Sequence, residues 1–396
     1  MSKIKNKAIP YSRHFINNDN LSAVVKVLKS KNLTQGKTVE IFEKKIAKYV
    51  GSKYAVAVSS ATAGLHIACK TLNFNEKSNL LTSVISFVSS SNIAYFLGGK
   101  ADFVDIDQDS VSMNIKNLEE KIKKNKPNIL IPVHMGGTSY NYKELRKLSK
   151  KYKFKIIEDA AHSFGGAYDK LSKIGSCKYS DMTIFSFHPA KTITTGEGGV
   201  ITTNNKEYYL QLLRLRSHGI NKKNDLPIVK KQAYTNSKIN QWYYEMRTLG
   251  YNYRLTDIQS ALGISQMTIL NKILKKKQKI FKLYDRVFSN QKKITPLQVD
   301  KRNLTSYHLY IVQINFRKIG KSRRELMEIL EKNKIFCQIH YIPIVMHPFY
   351  QKKGFSMKSY PNAKRYYDGC LTLPCFYSLT KKDQMFVIKV ILDYLK

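Results

Sequence analysis

The sequence is poor in acidic residues, in cysteine and in long apolar runs. Lys and Arg number 68 against 28 Asp and Glu, which gives a formal net charge of +40. The five cysteines are odd in number and form no Cys-x-x-Cys pair, so neither a disulfide framework nor a structural metal site is expected. No apolar stretch approaches the ~18 residues of a membrane span, and no apolar signal region follows the basic N-terminus. We therefore expect a cytoplasmic protein without membrane segment or metal.

The excess of basic residues has two interpretations. A polyanion such as nucleic acid is one natural partner of so basic a chain. However, the lysines lie in short runs along the whole sequence, and no basic arm with interleaved aromatic residues stands out. Lysine is a strongly hydrated point charge, whereas arginine is favoured for bidentate phosphate recognition. We therefore prefer a solvated, Lys-rich surface without nucleic acid, and a nucleic-acid-binding protein stays as the distant alternative.

Hydrophobic residues are plentiful, at 43% of the 396 residues, which excludes a disordered chain of high charge and low hydrophobicity. From about residue 20, short apolar segments such as Tyr54–Val58 alternate with helix-like segments such as Ala61–Cys69. This alternation predicts an α/β domain with a mostly parallel sheet between helices. After residue 290 the pattern changes, and Ser306–Val312, Phe336–Ile339 and a closing helix at Asp383–Leu395 predict a smaller α+β unit.

The same patterns divide the chain into three parts. Residues 256–283 have the apolar spacing of one or two long helices, with Thr256 or Asp257 as a possible cap. We expect an N-terminal arm over residues 1–20, a large α/β domain over residues 21–255, and linking helices with a small C-terminal α+β domain over residues 256–396.

Small and hydroxyl residues follow the strand at Tyr54–Val58 and open the next helix. Backbone N–H groups at a helix N-terminus attract anions, and the hydroxyls of Ser60 and Thr62 add further donors. The segment is therefore a candidate phosphate cradle. By itself, however, such a segment is more often a plain helix cap.

Two acidic residues, Glu158 and Asp159, stand at the carboxyl end of another apolar strand. Open α/β sheets bind their ligands at this end of the strands. A carboxylate in this place can pair with a cationic ring nitrogen, with His162 nearby as a hydrogen-bonding partner. Alternatively, the segment is a loop that caps the next helix, and the residues alone leave both interpretations open.

Lys191 differs from the many other lysines in its surroundings. It follows a buried strand, lies close to Pro189 and leads into a turn rich in threonine and glycine, which permits unusual backbone angles. A lysine held in such a place can have a lowered pKa and act as an imine-forming nucleophile.

These three segments, in this order and at these separations, resemble the DegT/DnrJ/EryC1/StrS family of sugar-nucleotide aminotransferases, which have fold type I and depend on pyridoxal phosphate. The resemblance extends through nearly the whole chain and includes residues 32–36, 250–255 and 338–343. Within the family, the motifs look most like those of the 4-aminotransferases of pseudaminic acid biosynthesis, which act on a UDP-linked 4-keto-6-deoxy-N-acetyl sugar. The alternatives are another 3- or 4-keto nucleotide sugar as substrate, or a dehydratase of the same scaffold. Such dehydratases carry histidine in place of the imine lysine, so Lys191 argues against the second.

The resemblance implies a fold-type I architecture, pyridoxal phosphate as the cofactor and particular roles for residues around it. Lys191 would hold the cofactor through an imine bond and then move the proton during the reaction. Asp159 would keep the pyridine nitrogen protonated, which makes the ring an electron sink. His162 would lie near the ring hydroxyl, and Phe87 would stack on the ring.

The resemblance also implies contacts to the cofactor phosphate and to the substrates. Ala61, Thr62 and Ser186 would bind the phosphate, and Asn252 would reach it from the other subunit of a homodimer that shares its active sites. Position 61 is often glycine in the family, but only the backbone N–H is needed there. L-Glutamate is the expected amino donor. The residues expected to contact the nucleotide sugar are Tyr11, His340 and Tyr341.

Overall fold

The computed structural model describes residues 8–107, 109–138, 142–220, 225–298 and 305–396, so the first seven residues of the expected N-terminal arm lie outside the described part. The helices are α1 (Asn18–Leu28), α2 (Lys37–Val50), α3 (Ala61–Thr71), α4 (Ser89–Phe96), α5 (Ile115–Asn125), α6 (Tyr142–Tyr152), α7 (Lys206–Leu215), α8 (Lys230–Ala233), α9 (Asp257–Phe288), α10 (Arg323–Lys332), α11 (Pro348–Gln351), α12 (Pro361–Gly369) and α13 (Lys381–Leu395). The strands are β1 (Ile9–Pro10), β2 (Tyr54–Val58), β3 (Asn79–Ser83), β4 (Lys100–Val104), β5 (Ile129–Ile131), β6 (Lys155–Asp159), β7 (Met182–Ser186), β8 (Gly199–Thr203), β9 (Tyr234–Thr235), β10 (Lys238–Ile239), β11 (Ile294–Pro296), β12 (Tyr310–Ile314), β13 (Ile335–Phe336) and β14 (Cys370–Leu373).

A seven-stranded sheet in the order β2-β8-β7-β6-β5-β3-β4 forms the larger core. Its strands run parallel except β8, which is antiparallel to both of its neighbours. Successive side chains of a strand point to opposite faces, and accordingly Ile156 and Ile157 of β6 belong to two different apolar clusters. Helices cover both faces, so the central strands β6, β7 and β8 are buried along nearly their whole length. The prediction of an α/β fold with a mostly parallel sheet is therefore confirmed.

A second, antiparallel sheet in the order β11-β12-β14 forms the smaller core with α10 and α13. The long helix α9 joins the two cores, because Leu270 packs in the large one and Tyr284 in the small one. Residues 257–288 thus form one continuous helix, capped by Thr256. The predicted domain boundaries after residues 20 and 255 stay predictions.

The strand predicted over Ser306–Val312 is wrong in its first half, because β12 begins only at Tyr310. The Ser306 N–H instead donates to the Gly137 oxygen at 3.2 Å, and the Leu309 N–H donates to the Gly136 oxygen at 3.3 Å. The predicted strand at Phe336–Ile339 is likewise shorter, since β13 ends at Phe336. Residues 306–309 therefore precede β12 and residues 337–339 follow β13, and both segments lie at the carboxyl edge of the large sheet.

Asp257 attaches the start of α9 to the loop before α2. Its buried carboxylate accepts the N–H of Gly36 at 2.7 Å and that of Thr38 at 3.0 Å. A Cβ at Gly36 would lie 2.7 Å from the same carboxylate, so the loop backbone passes too close for any other residue. This contact holds the motif at residues 32–36 in place.

We predict that Asp257→Ala lowers the free energy of unfolding by about 2 kcal/mol, because two partly buried N–H groups lose a buried charged acceptor. Asp19→Ala is the matched control, since Asp19 is exposed in the first turn of α1. The thermal unfolding midpoint should fall clearly further in Asp257→Ala. Equal midpoints for the two variants would contradict the structural role of Asp257.

Candidate active site

A cleft of about 890 Å³ opens at the carboxyl edge of the large sheet, and segments of the smaller core complete its walls. Parallel strands end at this edge, so side chains from distant parts of the sequence meet there. Ten of the eleven residues predicted for the site line this cleft: Tyr11, Ala61, Thr62, Phe87, Asp159, His162, Ser186, Lys191, His340 and Tyr341.

The two acidic residues at the end of β6 point to opposite faces of the sheet. Glu158 is fully buried behind it, where its carboxylate contacts His134 at 2.9 Å and Tyr168. Asp159 lines the cleft, and its Oδ2 accepts the hydroxyl of Ser90 at 2.6 Å. The Ala161 N–H donates to Oδ1 at 3.2 Å. These contacts hold the Asp159 carboxylate in one orientation at the floor of the cleft.

Lys191 lies in the loop between β7 and β8, and its side chain lines the same cleft as Asp159. The Lys191 N–H donates to the His188 oxygen at 2.9 Å, which forms a tight turn after β7. Burial lowers the pKa of Lys191 to about 8, with Asp159 opposing this shift and Lys277 adding to it. A sizeable fraction of the amine is therefore neutral, and thus nucleophilic, near neutral pH.

The start of α3 has the geometry of an anion site. Ser60 is the N-cap, and its hydroxyl accepts the Ala63 N–H at 3.1 Å. The first N–H groups of a helix, here those of Ala61 and Thr62, have no partner within the helix. A Cβ at Gly199 would lie 2.7 Å from the Ala61 nitrogen, so β8 passes close behind this turn. Ser60 therefore caps the helix, as a plain helix start requires, while the free N–H groups of the same turn can still bind a phosphate.

His162 is held between the two cores. Its Nδ1 accepts the Gly136 N–H at 3.3 Å, so its Nε2 carries the proton and contacts the Tyr341 hydroxyl at 3.0 Å. The Ser306 hydroxyl donates to the His162 oxygen at 2.6 Å. Burial, with nearby positive groups including Lys191, lowers the pKa of His162 well below its ordinary value. The ring is therefore a neutral hydrogen-bonding group.

Aromatic residues form the upper walls of the cleft. Phe87 is 56% exposed, which leaves one face of its ring free for a flat ligand, and its ring centroid lies 6.0 Å from that of Tyr341. Tyr11 lies against His340 at 5.4 Å between ring centroids. Burial, followed by the charge of Lys191, lowers the pKa of His340 to about 3, so this histidine is neutral.

Asn252 is the predicted residue that does not line the cleft. Asn252 is exposed and pairs with Ser217 in an isolated β-bridge. Its neighbour Tyr253 does lie close to the phosphate cradle, because the Tyr253 oxygen accepts the Ser59 N–H at 2.9 Å. The predicted role of Asn252 requires a second subunit and stays a prediction.

Three residues near the site carry no signal that we used in the sequence. Ser90 orients Asp159, and His308 lines the cleft with its ring centroid 4.6 Å from that of His162. Lys277 is buried beside Lys191 on α9. Ser90 lies on a helix start and His308 in an apparent strand, so each had an ordinary local explanation. Lys277 stands at a position of α9 where the helical spacing calls for an apolar residue, and this departure from the pattern could have been noticed in the sequence.

The described part of the chain has no helix long and apolar enough to cross a membrane. Within the same residues, no group of three or more His, Cys, Asp or Glu side chains is arranged to hold a metal ion.

Comparison with solved structures defines the class of protein first. The structure of "Helicobacter pylori PseC, aminotransferase involved in the biosynthesis of pseudoaminic acid" superimposes with a TM-score of 0.88, at 30% sequence identity over 98% of this chain and 99% of that one. The fold is therefore that of an aminotransferase that depends on pyridoxal phosphate.

The sequence comparison then places the chain more narrowly. The profile of the DegT/DnrJ/EryC1/StrS aminotransferase family matches residues 14–392, and the chain belongs to this family of pyridoxal-phosphate-dependent sugar aminotransferases. The predicted family is thereby confirmed.

Two relatives illustrate the range of names that similar proteins carry. The UDP-4-amino-4,6-dideoxy-N-acetyl-beta-L-altrosamine transaminase of Campylobacter jejuni is 37% identical over 96% of this chain and 95% of its own length. The spore coat polysaccharide biosynthesis protein SpsC of Bacillus subtilis is 32% identical over 100% of this chain and 99% of its own length.

We predict that the reactivity of the Lys191 amine rises with pH and levels off above about pH 8, because only its neutral form is nucleophilic and its pKa is lowered to about 8. An ordinary exposed lysine continues to gain reactivity up to about pH 10.4. Competitive acetylation of the cofactor-free protein, resolved by mass spectrometry, measures both profiles. A Lys191 profile that matches those of exposed lysines would contradict the prediction.

Proposed function

We propose that this protein transfers an amino group from L-glutamate to the 4-keto carbon of a UDP-linked 4-keto-6-deoxy-N-acetyl sugar, as a UDP-4-amino-4,6-dideoxy-N-acetyl-beta-L-altrosamine transaminase. The observation that carries the proposal is the partly buried Lys191, whose pKa is lowered to about 8 and which lines the same cleft as the Asp159 carboxylate. The name of the Campylobacter jejuni relative supports the choice of sugar.

The residues of the cleft fit pyridoxal phosphate. The amine of Lys191 suits its aldehyde, and the carboxylate of Asp159 suits its pyridine nitrogen. The helix start at Ala61 and Thr62 suits a phosphate, and the Ser186 hydroxyl lines the same wall. The close approach of Gly199 to this helix start supports a narrow, preformed cradle.

When bound, pyridoxal phosphate supplies an electron sink that allows an amino group to leave one carbon and join another. Lys191 accepts and returns the proton at its Nζ, for which its pKa of about 8 is well suited. Asp159, oriented by Ser90, would keep the proton on the pyridine nitrogen. The neutral ring of His162 would lie near the ring hydroxyl, and Phe87 would cover the ring face.

The rest of the cleft is available to the substrates. Its volume of about 890 Å³ suits a nucleotide sugar better than a small amino acid alone. The cleft is also lined by Tyr11, His340 and Tyr341. Because His340 is neutral, its ring can donate or accept a hydrogen bond but does not attract an anion by charge. An aminotransferase for another 3- or 4-keto nucleotide sugar is the second candidate, because a relative as similar as SpsC is named for spore coat polysaccharide biosynthesis rather than for an altrosamine.

We predict that the purified protein with pyridoxal phosphate aminates a UDP-linked 4-keto-6-deoxy-N-acetyl sugar faster than 3-keto nucleotide sugars, with L-glutamate as donor. Lys191→Ala should abolish turnover and the visible absorbance of the bound cofactor, since no other amine faces the cleft floor among the described residues. Product formation and its stereochemistry are measured by mass spectrometry and NMR.

Lys206→Ala is the control for this experiment, because Lys206 is exposed at the start of α7. It should keep both the turnover and the absorbance band of the wild type. An unchanged band in Lys191→Ala would contradict the assignment of Lys191. Preferred amination of a 3-keto sugar would favour the second candidate.

We further propose a homodimer in which Asn252 contacts the cofactor phosphate of the other subunit. An exposed apolar surface supports a second copy as the partner, since monomers rarely leave so many large apolar side chains in water. Its exposed residues are Leu226, Ile228, Trp242, Tyr244, Met246 and Leu249. Asn252 follows this surface directly in the sequence. The cytoplasmic location stays a prediction.

We predict that Lys191→Ala and Asn252→Ala complement each other when co-expressed with two different tags. A mixed dimer contains one site with both substitutions and one site with neither, so about half of the wild-type activity should return. Turnover of the doubly purified dimer is compared with that of each single variant. Absence of complementation in a confirmed mixed dimer would place Asn252 in its own subunit's site.

A further inference from the structure

Lys277 is a buried lysine to which the proposed function assigns no role. It lies in the middle of α9 with 4% of its surface exposed, and no other lysine in the described ranges is buried to this degree. Its Nζ donates to the backbone oxygen of His308 at 3.3 Å, and no described carboxylate pairs with it. A buried ammonium group without a carboxylate is costly, and burial accordingly lowers the pKa of Lys277 itself. The position of this lysine therefore calls for a reason.

Lys277 and Lys191 line the same small void beneath the cleft. The void has a volume of about 20 Å³, which is room for about one water molecule. The other titratable groups on the void side are Arg13, His14, Cys375 and Tyr377. None of these is a carboxylate, so no negative side chain lines the void that Lys191 and Lys277 share.

The cleft side supplies the remaining charges near Lys191. The titratable groups there include Asp159, Glu197, His162, His308, His340 and Tyr341. Burial lowers the pKa of each of these three histidines, so they are neutral. After burial itself, the charges that act on the Lys191 amine are Asp159, which raises its pKa, and Lys277, which lowers it.

We propose that Lys277 is a positioning residue whose buried positive charge keeps the Lys191 amine in its neutral, nucleophilic form. Two like charges around one void repel each other, so protonation of Lys191 is disfavoured while Lys277 carries its proton. Lys277 thereby offsets the attraction that the Asp159 carboxylate exerts on the same proton. The inference rests on the proposed function only in that Lys191 is the imine-forming lysine.

The test is a pH titration of cofactor-free protein labelled with [ε-¹³C]lysine and followed by NMR. The Lys191 signal is assigned by its absence in Lys191→Ala. In Lys277→Met, which keeps much of the side-chain volume, the pKa of Lys191 should rise by about one unit. In Lys277→Arg, which keeps the charge, it should stay lowered.

The matched control is Lys275→Met, because Lys275 is exposed on the same helix and its loss removes the same formal charge. It should leave the Lys191 titration unchanged. A folded Lys277→Met protein with an unchanged Lys191 pKa would overturn the proposal. So would equal shifts in the Met and Arg variants, which indicate a purely structural role.

A reciprocal measurement decides the question even where Lys277→Met does not fold. Coupling between two sites is mutual, so removal of the Lys191 charge in Lys191→Ala should raise the pKa of Lys277, whose signal is assigned with Lys277→Arg. No change would overturn the proposal. The titration needs no cofactor or substrate, so its result is independent of the turnover assay. An unchanged Lys191 pKa in Lys277→Met, with an active wild-type enzyme, contradicts this inference alone. An inactive wild-type enzyme contradicts the proposed function alone.

Discussion

The common carboxyl edge of the parallel strands is the constraint on which the site depends. Because β6 and β7 end side by side, Asp159 and the loop that carries Lys191 are brought together although they are far apart in the sequence. The start of α3 joins them because β2 runs parallel to β7 in the same sheet and is separated from it by β8 alone. The sheet thus supplies the amine, the carboxylate and the anion-binding helix end at one place.

The smaller core completes the site through the segments just before β12 and just after β13. Residues 305–309 bond to the loop at Gly136–Gly137 rather than to a neighbouring strand, through the Thr305 hydroxyl and the N–H groups of Ser306 and Leu309. This brings His308 into the cleft wall, while Gln338–Tyr341 follows from the end of β13. The contact of Tyr341 with His162 joins the two walls by a hydrogen bond. A rigid connection of this kind keeps the cleft preformed.

The distribution of charge explains why the large basic excess says little about the chemistry. Several of the few acidic residues are used inside the protein: Glu43, Asp105, Glu158, Asp159 and Asp257. The basic residues buried to the same degree in the described ranges are Arg216 and Lys277. The surface is therefore even more basic than the sequence average. A field of this kind raises the encounter rate with an anionic nucleotide sugar but does not determine its specificity.

The alternation of short apolar strands with amphipathic helices was enough to predict the α/β class. The order of the motifs around Asp159 and Lys191 was enough to predict the family and ten of the residues that line the cleft. These features are local, because each depends on a strand end and the turn that follows it. Strand alternation alone could not tell which of Glu158 and Asp159 faces the cleft, since it permits either face; only the family resemblance selected Asp159. The sequence also could not place Ser90, His308 or Lys277, whose roles arise only where separate elements pack together. Tertiary structure alone decides such contacts, because the burial and the neighbouring charges that set the pKa of Lys191 come from parts of the chain that are distant in sequence.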